Sequence, residues 1–150
     1  VSSLAQFKRD KSKVDGVWFG KEVFEPNPDG TYPEFLIAPA HKSNKAYTKA
    51  QVEWRRKNQR LYMRRDADIH ELSEKSLEHA FRVACLKRWR NFQDDDQSLI
   101  DFTKQNVDFY MEEYHDLHDA LVEFAFDRRN YIEEAVESIA EESSSTTSGK

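Results

Sequence analysis

The stretch LEHAFRVACLKRWRNF, Leu77 to Phe92, holds the one cysteine of the chain, with a histidine six residues upstream. A thiol beside an imidazole is the pair from which an activated nucleophile is made. At about 100° per residue, however, His79 and Cys85 diverge around a helix and cannot form that pair within it. Leu77, Phe81, Ala84, Cys85, Trp89 and Phe92 recur at steps of three and four, so the spacing predicts an amphipathic helix. Cys85 would pack in it as a small apolar residue. A second cluster, HDLHD, sets His115 and His118 at i, i+3 with Asp116 and Asp119 beside them, a spacing that can turn two imidazoles toward one metal ion. A metal site needs further ligands, and Asp and His are ordinary residues at a helix start. The acids of QDDDQS lack the glycine and the distal glutamate of a calcium loop and read as a solvated turn.

Other routes to catalysis have less support. No glycine-rich phosphate loop or Gly-x-Ser-x-Gly elbow occurs, and four glycines leave little backbone for either. The expectation is a non-enzymatic protein with no cofactor and no metal. Binding chemistry is better represented. WRRKNQRLYMRR, Trp54 to Arg65, sets six cations within twelve residues beside aromatic rings, enough to neutralise phosphates or to dock on an acidic protein surface. Against nucleic acid stands the acidic remainder of the chain. Residues 1–65 hold 14 Lys and Arg against 7 Asp and Glu, whereas the rest holds 9 against 21. Such a dipole along the sequence can steer a partner, or draw the two halves of one domain together.

The elements that must carry these groups are mostly helical. A chain of 150 residues, 38% hydrophobic and 34% charged, suits one domain with a small, aromatic-rich core. Neither a membrane-spanning run nor a signal peptide is visible, so residence in a cytoplasm is expected, and a lone cysteine agrees with a reducing compartment. Residues 1–13 read as a flexible basic arm. Val17 to Phe24 and Glu34 to Ala38 flank the turn chemistry of PNPDG and predict a hairpin over 17–38, with Pro33 keeping the second strand at an edge. Helices are expected at about 46–65, 69–91, 104–114 and 116–141, with Asp68 and Thr103 as N-caps. Val107, Tyr110, Met111, Leu117, Leu121, Phe124, Ala125, Tyr131, Ala135 and Ile139 should face inward. SSSTTSGK, 143–150, reads as a flexible tail. The fold class expected is mainly α: a helical domain over 14–142 with an N-terminal β-hairpin.

The order of these marks resembles a known family. Gly16-Val-Trp18 opens a hairpin and Phe35-Leu-Ile37-Ala38 closes it; a basic helix follows, then Trp89-Arg-Asn91-Phe92 and an acidic loop. Ile100-Asp-Phe102-Thr103-Lys-Gln-Asn106-Val107 and the segment from Leu117 to Tyr131 complete the series. Over about residues 14–142 the chain resembles the tail assembly chaperones of long-tailed bacteriophages. It departs from them in lacking a glycine in QDDDQ and in carrying His115 where a proline often stands. The resemblance implies an assembly factor that binds the tape measure protein, keeps its apolar helices soluble and helps recruit the tail tube protein. It implies the cytoplasm of an infected bacterial host, and absence from the mature virion. In such a protein Tyr47, Trp54, Leu61 and Tyr62 are expected to wall a partner groove, with Arg55, Arg56 and Arg60 on the same basic helix, while Trp18, Phe81 and Trp89 fill the core. Self-association is a further expected contact, and the alternative is a small nucleic-acid-binding protein using residues 47–65.

Overall fold

The PNPDG turn closes as its residues dictate. In the computed structural model, which describes residues 3–132, Asn27 donates its backbone N–H to Thr31 O at 2.7 Å. The Asp29 carboxylate accepts from the Thr31 amide and hydroxyl at 2.9 and 2.6 Å, and Gly30 takes the left-handed φ of 87° that the turn requires. The turn joins β1 (Val17–Phe19) to β2 (Glu34–Ile37), antiparallel, with Trp18 opposite Leu36 and Phe19 opposite Phe35. β1 stops short of the expected Phe24 because the chain turns at Gly20, whose carbonyl accepts from Val23 and Phe24. Gly20 has φ 134°, and a Cβ there would collide with the Pro33 carbonyl oxygen, so only glycine lets the two segments approach. Phe24 nonetheless folds back edge-on to Phe19 and Phe35.

The segment expected to be one helix over 69–91 is three elements. α3 (Ile69–Ala80) opens on Asp68, whose carboxylate accepts from the Glu71 amide at 3.1 Å. A π-helical turn, Phe81–Cys85, follows, and the chain then enters β3 (Leu86–Arg90), which pairs antiparallel with β2. The sheet order is β1-β2-β3, so β2 is central rather than at an edge. Pro33 is tolerated because it precedes the paired residues and removes no ladder hydrogen bond. The register pairs Leu36 with Arg88 but Ile37 with Leu86, leaving Lys87 as the extra residue of a bulge. That bulge lets Leu86 and Trp89, three apart, both face the core. A spacing of three inside a strand mimicked a helix. Leu77, expected on the buried stripe, is instead exposed; Leu72, Ser76 and Ala80 form the inner face of α3.

The other helices keep their places with trimmed ends. α1 (Lys45–Lys57) and the single turn α2 (Gln59–Tyr62) divide the helix expected over 46–65 at Asn58, whose side-chain amide and backbone N–H both donate to Trp54 O. α4 (Lys104–Glu113) is capped by Thr103, which accepts from the Asn106 amide at 3.1 Å. α5 (His115–Phe126) ends at Asp127, which opens a 3-10 turn, Arg128–Tyr131, by accepting from Arg129 N. The helix expected to run to 141 therefore breaks here. Tyr131 is buried by this turn, and its hydroxyl donates to Ile37 O at 3.0 Å. Ala135, Ile139 and the tail 143–150 lie outside the described residues.

The result is a mixed α+β fold, about half helical, in which helices cover one face of the small sheet. The core joins Phe35, Ile37, Leu86 and Trp89 of the sheet to Phe81, Ala84 and Cys85 of the π turn and to Val107, Met111, Leu121 and Ala125 of α4 and α5. Each such large side chain, fully buried, contributes roughly 1.5–3 kcal/mol. Asn44, also buried, donates to Pro39 O and Ala84 O at 3.0 and 3.1 Å and so ties the start of α1 to the π turn. The arm expected to fray over 1–13 carries two 3-10 turns, and Asp10 N donates to Tyr131 O. An antiparallel bridge pairs Arg9 with Ile132, and Lys13 Nζ donates to Ile132 O at 3.1 Å.

Candidate partner-binding site

The residues expected to wall a groove separate once α1 packs. Tyr47 is only 5% exposed and belongs to the core, because α1 turns it with Ala50 onto the π turn and α5; it presents no side chain to a partner. Burial pushes its phenol up to about 12, and the hydroxyl has no hydrogen-bond partner. Trp54 and Tyr62 meet edge to face with ring centroids 6.2 Å apart, half-buried, and Leu61 is half-buried beside them. Arg55, Arg56 and Arg60 are exposed and make no ion pair among the described residues; Arg55 and Arg56 line an open depression with Gln59 and Tyr62.

Trp54 instead marks one end of a furrow between α3 and α4. The larger part, about 430 Å³, is lined by Trp54, Lys75, Glu78, His79, Arg82 and Asp108, with Met111 and His118 behind them. A second depression of about 320 Å³ shares His79, Arg82 and Asp108 and continues the furrow over Val83, Leu86, Phe102 and Val107. Val83 is 57% and Phe102 38% exposed, so this end offers apolar surface to solvent. Arg82 spans the junction, 3.2 Å from Glu112 and 3.6 Å from Asp108, with its Nε unpartnered. His118 is buried, packs 5.5 Å from the Phe81 ring, and leaves Nε2 unpartnered. Burial first, and the Arg82 charge second, hold its imidazole below the ordinary range, so it is neutral at pH 7.

A third concavity lies on the other side of α4. It measures about 280 Å³ and is lined by Phe92, Gln93, Asp94, Asp95, Phe109, Tyr110, Tyr114 and Leu117. Phe109 and Tyr114 are each more than half exposed.

The two constellations that suggested reaction chemistry do not assemble. Cys85 is fully buried, its Sγ lies 3.7 Å from Pro39 O, and burial pushes the thiol up to about 12, so it is no thiolate near neutrality. Within HDLHD, His118 turns into the core while His115 stays exposed, and among the described residues no group of three His, Cys, Asp or Glu is arranged to hold a metal ion. No helix among them is long and apolar enough to cross a membrane. Sequence reasoning missed Val83, Phe102, Phe109 and Tyr114. Their signal was negative: Val83 and Phe109 are apolar residues that fall off the stripes of their own segments. Comparison with protein families, with curated proteins and with solved structures finds no match.

Proposed function

We propose that this protein is a non-enzymatic assembly chaperone that holds amphipathic helices of a larger partner in the furrow between α3 and α4. The observation that carries the reading is the furrow itself: an apolar floor of Val83, Leu86, Phe102 and Val107 beside walls of charged side chains. Docking an apolar helical stripe there removes water from both surfaces at about 25 cal/mol per Å², while the charged exterior keeps the complex soluble. Together with the resemblance of residues 14–142, this favours the tape measure protein of a long-tailed phage as partner, with the tail tube protein recruited to the complex. Co-expression tests it. The chain should keep its own phage's tape measure protein soluble, and Val83→Asp, at a side chain 57% exposed, should weaken that while circular dichroism stays unchanged. A folded wild type that leaves the tape measure protein insoluble overturns the proposal.

Nucleic-acid binding is the second reading, favoured by Arg55, Arg56 and Arg60, which are exposed and make no ion pair among the described residues. It requires affinity that falls steeply with salt and is lost on reversing these three residues to Glu. The chaperone reading expects the wild type to bind duplex or single strand no better than a generic protein at physiological salt.

A further inference from the structure

The groove on the far side of α4 has chemistry unlike the furrow. Tyr110 and Tyr114, one turn apart, stack with planes 14° apart and centroids separated by 5.8 Å. Phe109 and Phe92 stand edge-on to Tyr110 at 5.0 and 5.3 Å, so four rings meet around one concavity. Two carboxylates lie on its lip. Asp94 accepts the Asp96 and Ser98 amides through Oδ1 at 2.9 and 3.0 Å, which fixes the loop and holds the acid in place. Among the described residues Asp95 has no partner, and no Lys or Arg lines the groove. Burial first, and then the Asp94 charge, shift the Tyr110 phenol upward.

Aromatic faces carry negative charge at their centres, and rings with carboxylates beside them attract a cation that sheds part of its hydration. Arginine suits this better than lysine: its guanidinium is planar, stacks on rings, pairs with a carboxylate through parallel N–H groups, and is more weakly hydrated. We infer that the groove of Phe92, Phe109, Tyr110 and Tyr114 takes an arginine side chain from a helical segment of the partner protein, with Asp95 pairing its guanidinium. The inference rests on the partner-binding reading for the existence of such a partner, and adds which residue type the partner must present. The furrow would hold apolar residues while this groove fixes register by charge.

The test uses the full chain and three synthetic amphipathic helices with one apolar face, carrying Arg, citrulline or Glu at the same polar positions. Anisotropy titration should show the Arg peptide binding about tenfold tighter than the citrulline one, the scale of one partly desolvated cation–π contact with its carboxylate. The Glu peptide should be weaker still. Phe109→Ala, Tyr114→Ala and Asp95→Asn alter exposed side chains, so the variants should fold and should each reduce the preference. Equal binding of all three peptides overturns the inference, and so does an Arg preference that survives all three substitutions, because the overall negative charge then suffices. The chaperone reading fails separately: a wild type that selects the Arg peptide through these residues yet leaves the tape measure protein insoluble keeps the groove and removes the proposed partner. A chain that solubilises the tape measure protein without any Arg preference does the reverse.

Discussion

Two places on this molecule use the same attraction between cation and ring, with opposite outcomes. On the outer face of the sheet, Trp18 is covered by the chain's own arginines: Arg90 lies 3.9 Å from the ring centroid and Arg88 5.6 Å, while Arg90 also pairs with Glu34 at 2.8 Å. Trp18 was expected in the core, but strand alternation turns it outward opposite Leu36, and the arginines of β3 two strands away reach across to it. At the α4 groove four rings and two carboxylates converge, and no Lys or Arg among the described residues joins them. Where the chain supplies both partners the contact is structural, and where it supplies one the contact is left for another molecule.

The heaviest blow to that comparison would fall on the residue behind the groove. Trp89 packs edge-on to Phe35, Phe92 and Phe102, and its indole N–H donates to Ile100 O at 2.7 Å. Trp89→Ala should cost about 3–5 kcal/mol in denaturant unfolding and disorganise sheet and groove together. Trp18→Ala should cost less, about 1–2 kcal/mol, and leave affinity for the Arg peptide unchanged; a binding defect there would erase the distinction between the two sites. Gln93→Arg sharpens it from the other side. Gln93 lines the groove, so an arginine there that leaves Asp29, to which the Gln93 amide donates at 3.1 Å, supplies the cation internally, as at Trp18, and should compete out the Arg peptide at a cost of about 0.5–1.5 kcal/mol.

Mild acid should act on neither ring site, and its effect is the smallest expected. It should act at His118, which sits among Phe81, Arg82, Glu78, Asp119 and His115 and whose folded pKa lies below the ordinary 6.5. Its stabilising share is complete above 6.5 and is lost as pH falls from there through the folded value, since the unfolded chain takes up the proton first. His118→Gln should lessen the slope of the stability profile over that window, read by thermal unfolding at successive pH values, and leave the shares of His41 and His79, whose pKa values burial also lowers.

How far the sequence could be read depended on whether a signal was local. Asp68, Thr103 and PNPDG act on neighbours within a few residues, and each makes the hydrogen bonds its chemistry promises. β3 was illegible because two local irregularities, the π turn at Phe81–Cys85 and the bulge at Lys87, add residues out of step and leave the apolar positions at helical intervals. The candidate site was harder still. Tyr47 and Trp54 are seven apart on one face of α1, yet the first is covered by the core and the second lines the furrow, a difference set by α5 and α3 at opposite ends of that helix. The furrow draws on residues from Trp54 to His118, and the groove joins the loop at Phe92–Asp95 to a helix that begins at Lys104, so neither shows as a periodicity within one element.

The bridge between Arg9 and Ile132 has a mechanical consequence. Because the two residues run antiparallel, a pull on Arg9 away from Asp10 and a pull on Ile132 away from Tyr131 act on the same end of the seam. A force that draws Arg9 and Ile132 apart in this way unzips the junction, breaking the Asp10 to Tyr131 and Lys13 to Ile132 hydrogen bonds in succession rather than all at once. A load applied at Arg9 and Ile132 would peel this seam one bond at a time before it reached the sheet or the furrow.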